Sequence, residues 1–199
     1  MHPVIEKCLN GEDITWQEYC EGASCTLSNS WHGDRYPIAT AMAIMEQFLE
    51  ISDGLDELKK SLFYGDNKYT TVEEQADHHR SEYGNPYITV DSWDDVLIDR
   101  RLIHSILGVA TEAAELVNAL YRAIVEKEEL DGINIIEELG DLTWYMHIPW
   151  IVSDNNSGLS PVFRKNLVKL YTRYGDKFSS ERAVNRDLGK ERAVLEETL

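Results

Sequence analysis

Between Ile133 and Trp150 the chain carries apolar side chains around nearly the whole circumference of the helix that their spacing predicts, and Glu138 and Asp141 stand among them. A helix apolar on every side must be enclosed by other elements. Carboxylates enclosed with it are costly unless something cationic meets them. That conflict limits the chain to folds that surround this helix and supply a partner for its two acids.

The rest of the pattern supplies helices and no alternating strands, so the expected class is all-α. After Pro37, apolar positions at helical spacing run from Ile38 to Phe63, with Gly54 as an expected break. Ser92 is placed to cap a helix reaching about Lys127, with Asp94 and Asp95 in its first turn. Asp131-Gly132 marks a turn before the Ile133–Trp150 helix, which Pro149 should bend or end. Ser153 to Gly158 reads as a polar loop, and Ser160 with Pro161 opens a helix that Gly175 stops near Tyr174. Residues 1–35 read as an irregular extension with a helical piece at Thr15–Tyr19. Residues 64–92 read as a long loop insertion containing His78-His79, and 179–199 as a charged helical arm.

With 199 residues and 43% hydrophobic content, one main domain over 36–178 is expected between the extension and the arm. The formal charge of −17 argues against a nucleic-acid backbone or an anionic membrane as partner. No apolar run reaches the 18 or so residues of a membrane span, and Met1-His2-Pro3-Val4 opens into charge, so a cytoplasmic location is expected. Cys8, Cys20 and Cys25 match no paired zinc pattern and read as reduced thiols.

A second acidic pair, Glu112-x-x-Glu115, precedes Glu138-x-x-Asp141 on the previous helix. Positions three apart share a helix face. The wide apolar stripe of that helix, Ile103, Ile106, Leu107, Ala110, Ala114 and Val117 among others, lies opposite the pair, so alone it reads as a solvated face. Two facing helices would instead gather four carboxylates. Like charges at about 4 Å repel by roughly 4 kcal/mol at an effective dielectric near 20, so such a cluster needs protons, bases or a divalent cation. Hard oxygen ligands suit Mg²⁺ or Mn²⁺.

The run Leu107-Gly108-Val109-Ala110-Thr111-Glu112-Ala113-Ala114-Glu115-Leu116, followed by Asn134-Ile135-Ile136-Glu137-Glu138-Leu139-Gly140-Asp141-Leu142-Thr143-Trp144-Tyr145, resembles the MazG-like all-α nucleoside triphosphate pyrophosphohydrolases. Their signature is E-x-x-E, a spacer, then E-x-x-D. Lys165-Asn166-Leu167-Val168-Lys169-Leu170 with Arg173-Tyr174-Gly175-Asp176-Lys177-Phe178 is similar to the segment that follows in bacterial and phage members. The resemblance spans roughly 36–190.

It implies a four-helix-bundle-like fold and hydrolysis of a nucleoside or deoxynucleoside triphosphate to the monophosphate and pyrophosphate. Glu112, Glu115, Glu138 and Asp141 would then hold Mg²⁺, one of them acting as general base. A homodimer or dimer of dimers is implied too, in bacterial cytoplasm or in host cytoplasm for a phage protein.

Lys165, Lys169 and Arg173 share one helix face and could meet phosphate or simply solvent. Asn166 and Asn134 could meet a base or ribose, or satisfy backbone. Tyr145 and Trp144 could stack a base or pack the core. His104, two turns before Glu112, could touch the nucleotide or be a packed histidine. Rival readings are a non-catalytic nucleotide-sequestering module, a phosphoribosyl-ATP pyrophosphohydrolase, and a di-iron bundle. The last expects Glu-x-x-His repeats, which are absent here.

Overall fold

The computed structural model describes residues 1–28, 37–65, 96–152 and 158–197. Among the described residues there are eight helices and no strand, as the all-α expectation has it. They are α1 (Pro3–Leu9), α2 (Trp16–Ser24), α3 (Ile38–Tyr64), α4 (Arg100–Val125), α5 (Gly132–Val152), α6 (Ser160–Tyr174), α7 (Ser180–Val184) and α8 (Leu188–Glu197). The chain divides into a terminal unit, Met1–Arg35 with Asn155–Leu199, and a central unit, Tyr36–Asp154. Nearly all of the expected 64–92 insertion, with His78-His79, lies outside the described residues, as do Ser92, Asp94, Asp95 and most of the Ser153–Gly158 loop.

Residues 1–28 correct the described part of the irregular extension expected at 1–35, since they form α1 and α2. Thr15 and Glu18 form a full capping box at the start of α2: the Glu18 amide donates to Thr15 Oγ1 at 3.2 Å and the Thr15 amide to Glu18 Oε2 at 2.8 Å. Val4, Ile5 and Cys8 of α1, with Ile14, bury against Leu167 and Val168 of α6. Leu167 is 1% exposed, so α6 is the centre of this unit. The segment 158–178 was expected in one domain with the carboxylates, but its apolar contacts group it with residues 1–28 instead.

Ser160 does not cap α6, contrary to expectation. Its hydroxyl accepts from the Ile14 amide and donates to Asp13, both at 3.0 Å, so it ties the α1–α2 connection to α6. Gly175, at φ +69°, ends α6 where the sequence placed the stop. The charged arm folds back as α7 and α8, held by the buried Glu191 between Arg173 and Arg186. These two guanidiniums, Arg173 foremost, lower the Glu191 carboxyl to about 2.

In the central unit α4 packs against both α3 and α5. The expected break at Gly54 does not occur: α3 runs unbroken to Tyr64, and Gly65 closes it in the left-handed region at φ +68°. One interior glycine costs only about 1 kcal/mol, which packing along α4 offsets. α4 starts at Arg100, later than Ser92, where Asp99 accepts from the Arg101 amide at 2.8 Å.

Two burial expectations invert. α4 buries a row of small residues, Ser105, Gly108, Thr111 and Ala114, of which Ala114 alone belongs to the expected stripe, and leaves Ile106 exposed, so small side chains make its closest contacts. A Cβ on Gly108 would stand 2.1 Å from the Tyr145 ring, so this approach requires glycine. α5 buries Tyr145 and Ile148, but Ile133 and Ile136 are 80% and 73% exposed, because among the described residues α4 is the helix that packs along it and covers one face.

Nor does α5 stop at Pro149; it continues to Val152. Proline has no N–H for the carbonyl four residues back, which is that of Tyr145. The buried Ser105 hydroxyl of α4 donates to this carbonyl at 2.8 Å. The missing bond is thus replaced from the neighbouring helix.

Candidate metal centre

The i,i+3 spacing of Glu138 and Asp141 turns both acids to one side of α5, and close packing on the Gly108 side of α4 brings Glu112 to them. One carboxylate oxygen from each of Glu112, Glu138 and Asp141 lies within 4.8 Å of the others. Glu112 and Glu138 are half-buried and Asp141 is exposed. The solvated face read for Glu112 in isolation is therefore corrected. Glu115 is exposed and stands outside this group.

Glu138 bears the strain of the arrangement. Its carboxyl is raised above the ordinary range, first by burial and then by a hydrogen bond shared with Glu112. Asn134, one turn earlier, partly offsets this by donating to Glu138 Oε1 at 2.5 Å. Asn134 is therefore a support for a carboxylate in this structure.

Sequence reasoning missed Lys59. This side chain of α3 is 5% exposed. Its ammonium donates to Thr111 Oγ1 at 2.8 Å and pairs with Asp56 at 3.2 Å and Glu112 at 3.5 Å. It also lies 5.4 Å from the centroid of the Tyr145 ring. Nothing in the sequence separates Lys59 from the other charged residues of α3, Glu50, Asp53, Asp56, Glu57 and Lys60 among them. A cleft of about 310 Å³ opens here between α3 and α4, lined among others by Asp53, Asp56, Lys59, Glu112, Glu115 and Asn118.

His104 and Tyr145 belong to an aromatic cluster beside the acids. His104 stacks on Phe63 with centroids 4.3 Å apart, and its Nε2 lies 3.2 Å from the Tyr64 hydroxyl. Burial, then the charge of Lys59, lowers its pKa. Tyr145 is raised by burial and by its contact with Tyr64, whose hydroxyl is 3.4 Å away. Trp144, 51% exposed, meets both His104 and Tyr145 edge-on.

Glu112, Glu138, Asp141, Asn134, Tyr145 and His104 thus come together in the central unit. Lys165, Asn166, Lys169 and Arg173 belong to the terminal unit, on α6. There Lys165 donates to the Leu195 carbonyl at 3.2 Å, Asn166 accepts from the Tyr19 hydroxyl at 3.2 Å, and Arg173 grips Glu191.

The donor set fits a hard divalent cation. Oxygens around octahedral Mg²⁺, bound at about 2.1 Å, lie roughly 3 to 4.2 Å apart, so a cluster within 4.8 Å needs only slight contraction. With no thiolate or imidazole among the three, softer metals have no advantage. Compared with protein-family models, with curated proteins and with solved structures, the chain matches none of them.

Proposed function

We propose that the chain is a Mg²⁺-dependent hydrolase that cleaves a nucleoside or deoxynucleoside triphosphate to its monophosphate and pyrophosphate. The observation that carries this reading is the convergence of Glu112 from α4 with Glu138 and Asp141 from α5. It gains support from the order of the acids, which follows the E-x-x-E and E-x-x-D pattern of the MazG-like enzymes that the sequence resembles.

Glu112, Glu138 and Asp141 hold the cation, and Asn134 fixes the Glu138 carboxylate. Bound Mg²⁺ would neutralise phosphate oxygens and acidify a coordinated water, with Mn²⁺ as a substitute. Glu115, outside the cluster but on the cleft and on the same helix as Glu112, would accept a proton at its Oε atoms. The exposed Trp144 and the nearby His104 offer ring faces and edges to a base. The exposed apolar side chains of α5 suit a homodimer. Among the described residues no helix is long and apolar enough to cross a membrane; a cytoplasmic location is part of the proposal.

The test is chromatographic product analysis of canonical and modified triphosphates incubated with Mg²⁺, for the wild type and Glu138→Gln. Monophosphate and pyrophosphate, lost in the variant, are the expected result. Release of orthophosphate would overturn the assigned bond cleavage. Tight nucleotide binding with no turnover would replace the enzyme by a sequestering module.

A further inference from the structure

We propose that this site takes one divalent ion per chain and no more, because Lys59 already serves Glu112 as a built-in second cation. The inference rests on reading Glu112, Glu138 and Asp141 as a metal centre, and it concerns what a lysine of this chain does to that centre.

An ammonium has three donors, and those of Lys59 have three partners: Thr111 Oγ1 at 2.8 Å, Asp56 Oδ1 at 3.2 Å and Glu112 Oε1 at 3.5 Å. The partners come from α3 and α4 together, and the side chain is 5% exposed, so the charge is seated and not sampling solvent. Thr111 is itself buried and donates to the Gly108 carbonyl at 3.0 Å, which fixes the oxygen that receives Lys59. The ring of Tyr145, 5.4 Å away, adds a further favourable contact for a cation.

A second divalent ion would need carboxylates beyond the cluster, and those on the adjoining cleft are Glu115 of α4 with Asp53 and Asp56 of α3, of which Asp56 is already paired with Lys59. Glu115 and Glu112 both line the cleft between α3 and α4, and Lys59 lines it too. An ion drawing on both glutamates from that side meets a fixed positive charge next to Glu112, where close like charges repel strongly. Displacing the lysine would strip Thr111 and Asp56 of their contacts with it.

The experiment counts Mn²⁺ bound to the full chain, without nucleotide, by equilibrium dialysis, and reads electron paramagnetic resonance on the same samples. One ion per wild-type chain, with no Mn–Mn coupling in the spectrum, is expected. Lys59→Met should admit a second ion and show coupling, whereas Lys59→Arg, which keeps the charge, should stay at one. Two coupled ions in the wild type would overturn the proposal whether or not the Met variant folds. A folded Met variant that still binds one would overturn it too, since Lys59 would not be what excludes the second. No Mn²⁺ on the wild type is a different failure, that of the metal reading itself.

Discussion

At Glu138 the carboxyl is held above its ordinary range by burial and by Glu112. A raised carboxyl binds more protons in the folded chain than in the unfolded one over the window between its two pKa values, so stability falls as pH rises through that window. Glu138's contribution to the stability of the metal-free protein is therefore expected to fall as pH rises above about 4.3, the unfolded value, whereas His104, whose pKa is lowered, works in the opposite direction. Glu138→Gln should flatten that slope and raise the metal-free melting temperature at neutral pH, where even 1 kcal/mol reads as about 2–4 °C for a chain this size. Mg²⁺ at a hundred times its dissociation constant should stabilise the wild type by about 2.7 kcal/mol and the variant by much less. Thermal scans at several pH values check both, and equal Mg²⁺ shifts in the two proteins would remove Glu138 from the centre.

At the scale of elements, the Ser105 bond to Tyr145 explains how α5 passes Pro149. Ser105→Ala should cost about 1–3 kcal/mol by leaving a buried carbonyl without a donor. In a Pro149→Ala background the restored N–H can serve that carbonyl, so the same substitution should cost well under half as much. A double-mutant cycle by urea denaturation measures the coupling. The helices themselves were largely legible in the sequence, because α3, α5 and α6 are long enough for their period, turn signals and Gly175 to mark them. α1 was not, since seven residues hold only the triple Val4, Ile5 and Cys8, whose burial depends on Leu167 far along the chain. The acidic spacing gave the Glu138–Asp141 half of the site. Lys59 could not be read because its partners Thr111 and Glu112 lie 52 and 53 residues away, across a helix contact. The buried face of α4 was misread because hydrophobicity ranks Ile106 above Gly108, while close helix approach favours the smaller residue.

At the scale of the whole molecule, the exposed apolar side chains of α5 make association the next quantity to measure. A homodimer covering Ile133 and Ile136 should give twice the 22.8 kDa chain mass by light scattering at micromolar concentration. Ile136→Glu should return the mass to that of one chain with little loss of helix content; a monomeric wild type would end the dimer proposal. The make-up of the terminal unit also bears on how the chain is born. Its first residues close on its last, with Ile14 and Ser160 separated by 146 positions. Synthesis at about 5–20 residues per second separates their emergence from the ribosome by roughly 7–30 s. During that interval Val4, Ile5 and Cys8 lack the Leu167 and Val168 surface that shelters them in the finished molecule. The apolar face of α1 therefore stays open on the nascent chain until α6 arrives to cover it.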